Sequence, residues 1–160
     1  MLKCPKGDEA DFVKEYQKPV NGNNLQEVLH FQYQCMMRYG GRWHLERKAI
    51  LPGYIFLSGS EELVLKRQAG EVEGEEKRKA SLRPCGIPYL KTLCPAGNLV
   101  ELSKGIIKDG KVIVTSGPLR GKEQLIRKID RHKRTAEIGI PLEGREQRVT
   151  VGLEIYDKQL

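Results

Sequence analysis

The chemistry most legible in this sequence is cationic. Positions 120 to 134 hold Arg120, Lys122, Arg127, Lys128, Arg131, Lys133 and Arg134 against only Glu123 and Asp130. Such clustering favours a polyanion, because each phosphate neutralised by Lys or Arg releases a condensed counterion. Residues 124 to 129 should alternate faces, placing Arg127 away from Lys128, whereas the turn from Asp130 to Arg134 can project several donors into one surface. Within it His132 adds a neutral donor or acceptor, and Arg131 or Arg134 can fork onto guanine or pair with a phosphate. A second group, Arg38, Arg42, Arg47 and Lys48 interleaved with Trp43 and His44, can continue the same footprint. Plainer readings stand beside both: the turn as a solvated basic hairpin, and Trp43 as a packing residue with a wet edge instead of a stacking platform.

Catalytic chemistry is poorly represented. His30, His44 and His132 lie near no Ser, Cys or carboxylate arrangement that spacing alone joins into a triad. Gly117 to Gly121 is a glycine turn without the Gly-Lys-Ser/Thr ending and following helix of a phosphate-binding loop. Cys4, Cys35, Cys85 and Cys94 include no pair at zinc-ribbon spacing, and small buried hydrophobes are favoured for them over a disulfide or a nucleophile. The expectation is a protein that is not an enzyme, with no metal and no cofactor.

These groups need elements to hold them. A chain of 160 residues, 39% hydrophobic, can bury one modest core or two small ones. Its formal charge of +7 agrees with a polyanionic partner. No apolar run approaches the roughly 20 residues that cross a bilayer, so a cytoplasmic protein with no membrane partner is expected. Gly7-Asp8-Glu9 ahead of Ala10, Phe12, Val13 and Tyr16 predicts a helix, with Asp8 able to cap it. Gly40-Gly41 suggests a hairpin, and Tyr54-Ile55-Phe56-Leu57 predicts a central strand. Ser60 to Arg67 fits a short helix, residues 71–79 a charged loop, and residues 82–100 short elements joined by turns. From Asp109 the texture becomes short alternating strands, at 111–115, 124–129, 135–142 and 147–153, enough for a small barrel. A boundary is expected near residues 101 to 109, with 103–108 as a short linker between domains 1–102 and 109–160.

Two segments carry a resemblance. Gly110-Lys111-Val112-Ile113-Val114-Thr115-Ser116-Gly117-Pro118-Leu119-Arg120-Gly121-Lys122-Glu123 resembles the KOW motif of NusG-type transcription factors. Upstream, Glu46-Arg47-Lys48-Ala49-Ile50-Leu51-Pro52-Gly53-Tyr54-Ile55-Phe56-Leu57 resembles the polymerase-binding strand of the NusG N-terminal (NGN) domain. Asp130 to Arg134, Ser103-Lys104-Gly105 and Val149 to Leu153 look closest to the LoaP-type specialised antiterminators of that family. The resemblance implies an α+β chain: a ferredoxin-like α/β NGN domain followed by a small SH3-like β-barrel KOW domain. It further implies a monomeric factor whose Leu51, Pro52, Tyr54 and Phe56 dock on the clamp helices of bacterial RNA polymerase. A nascent RNA hairpin would meet Arg47, Lys48, Arg120, Lys122, Arg131, His132, Lys133, Arg134 and Arg145, giving processive antitermination. Two alternatives share parts of the pattern: a general NusG factor recruiting termination or ribosomal partners, and a ribosome-associated KOW RNA-binding protein.

Overall fold

The computed structural model describes residues 2–17, 27–58, 87–94, 97–142 and 144–159. In chain order the elements are β1 Leu2–Lys3, α1 Glu9–Gln17, β2 Glu27–Leu29, β3 Gln32–Tyr39, β4 Arg42–Ala49, β5 Tyr54–Ser58, α2 Ile87–Thr92, β6 Leu99–Val100, β7 Ser103–Lys108, β8 Lys111–Ser116, β9 Ile126–Asp130, β10 Thr135–Leu142 and β11 Arg145–Gln159. A 3-10 turn at Glu123–Leu125 precedes β9. The described chain is thus mixed α+β, mostly strands. No helix among the described residues is long and apolar enough to cross a membrane. The helix expected over 60–67 and the loop expected over 71–79 lie outside the described residues.

Packing divides the chain into two units, Met1–His30 with Leu51–Pro84, and Phe31–Ile50 with Cys85–Leu160. In the first, α1 forms where its apolar spacing predicts, and Phe12 and Val13 pack on a core of Cys4, Tyr16, Val28 and Ile55. Asp8 gives its backbone carbonyl to the Phe12 N–H at 3.0 Å, and the side chain reaching back over the helix start is that of Glu9, which accepts the Gly7 N–H at 3.0 Å. Strand β5 lies between β1 and β2 in an antiparallel sheet, the central place its β-branched and aromatic residues predict.

The second unit is built from two sheets, ordered β4-β3-β6 and β8-β7-β11-β10-β9. The β3/β4 hairpin closes through Gly40 and Gly41, at φ 61° and 73°, the two left-handed central residues that a tight turn matched to the strand twist requires. Residues 103–108, expected as a linker, are instead strand β7, paired antiparallel with β8 and parallel with β11. Gly105 reads as flexibility in the sequence, but a Cβ there would lie 2.6 Å from the Ile113 carbonyl oxygen, so its small size admits the neighbouring strand. The segment expected as a strand from Gln124 begins as the 3-10 turn, whose Glu123 carboxylate accepts the Val114 N–H at 3.1 Å and ties that turn to β8. Inward residues Ile138, Ile140, Val151 and Leu153 are fully buried, as the alternation of β10 and β11 predicts. The sheets touch where β3 crosses β11: a Cβ on Gly152 would collide with the Gln34 carbonyl oxygen. The Gln34 side chain accepts the Leu102 N–H at 2.9 Å beside that crossing.

Candidate nucleic-acid interface

The turn between β9 and β10 is shaped by its own side chains. The Asp130 carboxylate accepts the Lys133 N–H at 3.0 Å, an Asx-type closure, and Arg134 takes a left-handed φ of 54° to enter β10. That Lys133 N–H, more than the nearby Lys133 and His132 side chains, holds the Asp130 carboxyl below the ordinary carboxylate range. The Arg134 carbonyl accepts the Leu153 N–H at 3.0 Å. Its guanidinium lies 3.8 Å from the centre of the Trp43 ring and pairs with Glu154 at 2.8 Å. Arg134 therefore stacks between the β3/β4 hairpin and β11, a geometry to which a planar cation over indole is suited.

The consequence is a cleft of about 520 Å3 with one wall on the hairpin and the other on the β9–β10 turn. Arg38, Lys48, Lys128 and Lys133 line it with Trp43 and His132, against the carboxylates Asp130 and Glu137. The two basic groups of the sequence, far apart in the chain, thus meet across one concavity with a cationic surplus. Cys35 also lines it, but its thiol is pushed up in pKa mainly by burial and stays neutral. Arg131 and Arg134 line a second concavity of about 630 Å3, which shares Lys128, Asp130 and His132 with the first.

The expected RNA-contacting residues separate accordingly. Lys48 and Lys133 line the first cleft, Arg131 the second and His132 both, with Arg131, His132 and Lys133 all exposed. Arg134 is committed to Trp43 and Glu154, so its guanidinium is a bracket for the turn. Arg47 is exposed on β4 opposite Gln34 and does not line the cleft. Arg120 is exposed in the Gly117–Gly121 turn, and the Lys122 ammonium donates to the Thr92 carbonyl at 2.8 Å, at the end of α2 where a cation is favoured. Arg145 sits at the far end of the β10/β11 hairpin, roughly 23 Å of strand from the 130–134 turn, taking about 3.3 Å per residue along β10. Arg127, read as part of the cluster, donates to Glu146 and to the Gln124 carbonyl. Arg38 and Lys128 gain weight from the structure, and Glu154 is a new member that no periodicity or spacing announces.

The apolar residues lie in the other unit. Leu51, Pro52, Gly53 and Tyr54 make a turn closed by the Tyr54 N–H on the Leu51 carbonyl at 3.2 Å. Proline second and glycine third, at φ 85°, suit a type II turn. Pro52 is exposed and Leu51 and Tyr54 are half-buried. Phe56, expected to join this patch, is buried at 3% exposure, and its neighbour Ile55 is at 0%. Successive strand residues point to opposite faces, so β5 is covered on both sides and Phe56 belongs to the interior. Among the described residues no group of three or more His, Cys, Asp or Glu is placed to hold a metal ion. No protein-family model and no curated protein sequence matches this chain.

Proposed function

We propose that this protein is a NusG-type transcription elongation factor of the LoaP-like kind, a processive antiterminator that binds RNA polymerase and a nascent RNA hairpin. The observation that carries the RNA half of this reading is the meeting of Arg38, Lys48, Lys128 and Lys133 around one cleft beside Trp43. A concave surface with a cationic surplus attracts phosphates from two directions, and an aromatic edge at its rim suits a nucleic acid better than a simple acidic protein. The polymerase half rests on the resemblance of residues 46–57 and on the placement of Leu51, Pro52 and Tyr54 in one partly exposed turn. In this reading the Leu51–Tyr54 turn serves polymerase binding, and the five-stranded sheet that includes β7 as well as residues from 109 onward is the SH3-like KOW part.

The mechanism makes and breaks no covalent bond. Tyr54 and its neighbours hold the factor on the clamp helices, and the basic wall at 130–134 retains the transcript hairpin close by, where tethering raises its effective concentration. The test is retention of the intact chain on purified bacterial core RNA polymerase, with Tyr54→Ala alongside. Retention that drops on Tyr54→Ala supports the reading. A folded chain that is not retained at low salt, yet binds RNA, overturns the polymerase half and favours a ribosomal or free-RNA binder.

A further inference from the structure

We infer that Glu9 is the positioning residue of the Leu51–Tyr54 turn, the buried carboxylate that fixes how Tyr54 is offered to a partner. The inference rests on the docking role proposed for that turn. Glu9 is 6% exposed, and both of its carboxylate oxygens are committed: Oε1 accepts the Gly53 N–H at 2.7 Å and Oε2 accepts the Gly7 N–H at 3.0 Å. On its other side Gly53 gives its carbonyl to the Cys4 N–H at 2.8 Å. The residue that must be left-handed for the turn to form is therefore fastened through both its N–H and its carbonyl. A Cβ on Gly53 would lie 3.1 Å from the Cys4 carbonyl oxygen and 3.3 Å from Lys6 Cγ, so the N-terminal segment also closes over it.

Burying a carboxylate is costly unless fixed donors replace its hydration, and here the donors are peptide N–H groups of the helix start and of the turn. An apolar side chain would fill the same space without that cost, but it could not orient the Gly53 peptide. The N–H that Glu9 holds belongs to the Pro52–Gly53 peptide, the central peptide of the turn, while the next peptide, Gly53–Tyr54, is held by its carbonyl on the Cys4 N–H. Fixing the first plane fixes the Gly53 dihedrals and so the direction in which the Tyr54 side chain leaves the turn. Releasing Glu9 should let the turn rotate while the sheet under it, centred on Ile55, stays in place.

The experiment follows the Gly53 amide by NMR and polymerase retention in parallel, on the full chain and on Glu9→Ala and Glu9→Gln. In Glu9→Ala we expect the Gly53 amide to shift and exchange faster, and retention to weaken about tenfold, the equivalent of one charge-assisted hydrogen bond. Glu9→Gln keeps one acceptor for Gly53 and should recover most of the retention, a rescue that loss of general stability would not give. An unmoved Gly53 amide in Glu9→Ala, or full retention despite a freed amide, overturns the inference. If Glu9→Ala does not fold, Glu9→Gln decides, because its neutral oxygen must still shift the Gly53 amide if the bond exists. If the unchanged chain is not retained by polymerase, the docking reading fails while the Gly53 amide still reports whether Glu9 holds the turn.

Discussion

The turn at Leu51–Tyr54 is held from outside by a buried carboxylate, whereas the turn at Asp130–Arg134 closes on its own Asp130 carboxylate and is bracketed by the Arg134 guanidinium. Glu9 is buried and answers peptide N–H groups, whereas Arg134 is partly exposed and lies between the Trp43 face and the Glu154 carboxylate. The first arrangement holds a turn whose tip is apolar, through contacts that salt barely reaches. The second holds a turn that is itself cationic, using a planar cation stacked on an indole and a pair that solvent partly screens. A protein needing one surface for an apolar contact and another for phosphates gains from this division, because ionic strength can tune the second without loosening the first.

The largest effect that separates the two should come from Glu9→Ala, which leaves the Gly53 and Gly7 donors without their acceptor and should cost about 2–3 kcal/mol in denaturant unfolding. Acid tests the same bond. Burial alone pushes the Glu9 carboxyl up, but the N–H groups of Gly53, Glu9 and Gly7 outweigh it and hold it below its ordinary value. A carboxyl depressed in the folded state stabilises fully above its unfolded pKa and loses that contribution as pH falls through the folded value. The Gly53 amide should therefore stay constant from neutrality into mild acid and move only below the ordinary carboxylate range. The Lys133 amide, bonded to the depressed Asp130, should do likewise.

Next in size, Lys128→Ala with Lys133→Ala should weaken binding of an RNA hairpin about tenfold near physiological salt and flatten the salt dependence by about two ions. Unfolding should be unchanged, since both side chains line the cleft as exposed cations. Equal RNA affinity in the double variant would place the phosphates elsewhere. Arg134→Ala should destabilise by about 1 kcal/mol, from a stacking contact and a partly screened pair. Arg134→Gly should be milder in the same thermal melt, because glycine accepts the φ of 54° without strain. Arg145→Ala should change neither stability nor RNA affinity by more than about 0.5 kcal/mol, lying at the far end of the hairpin. A large loss of RNA affinity there would mean that the RNA runs the length of β10.

Much of the fold was legible where a residue type has one local solution. Gly40-Gly41 announced its hairpin, the β-branched run of 135–142 matched β10, and the apolar spacing of Phe12, Val13 and Tyr16 announced α1. Strand β7 was missed because a glycine that admits a close neighbour and one that loosens a linker are written alike. The far half of β11 was missed because Glu154, Asp157 and Lys158 break the apolar alternation of Val149, Val151 and Leu153. At the site, the cations of the 130–134 turn were visible as composition. Their division into wall, bracket and helix-end ligand was not, since Trp43, Glu154 and Thr92 reach Arg134 and Lys122 only through tertiary folding. Phe56 entered the docking set only through the resemblance of residues 46–57, and a resemblance in sequence does not tell that β5 is covered on both sides with Phe56 buried.

Strand β11 pairs its first half with β10, next to it in sequence, and its second half with β7, far upstream and parallel. The first pairing closes a short hairpin; the second must gather a long intervening stretch of chain before any bond rewards it. During synthesis β7 is therefore made early and waits, while its hairpin with β8 can form at once. Refolding should zip the β8/β7 and β10/β11 hairpins as separate early fragments, with the parallel seam between Leu153 and Ser103 closing last and setting the rate. That seam is the place where a slowed or interrupted fold would stay open.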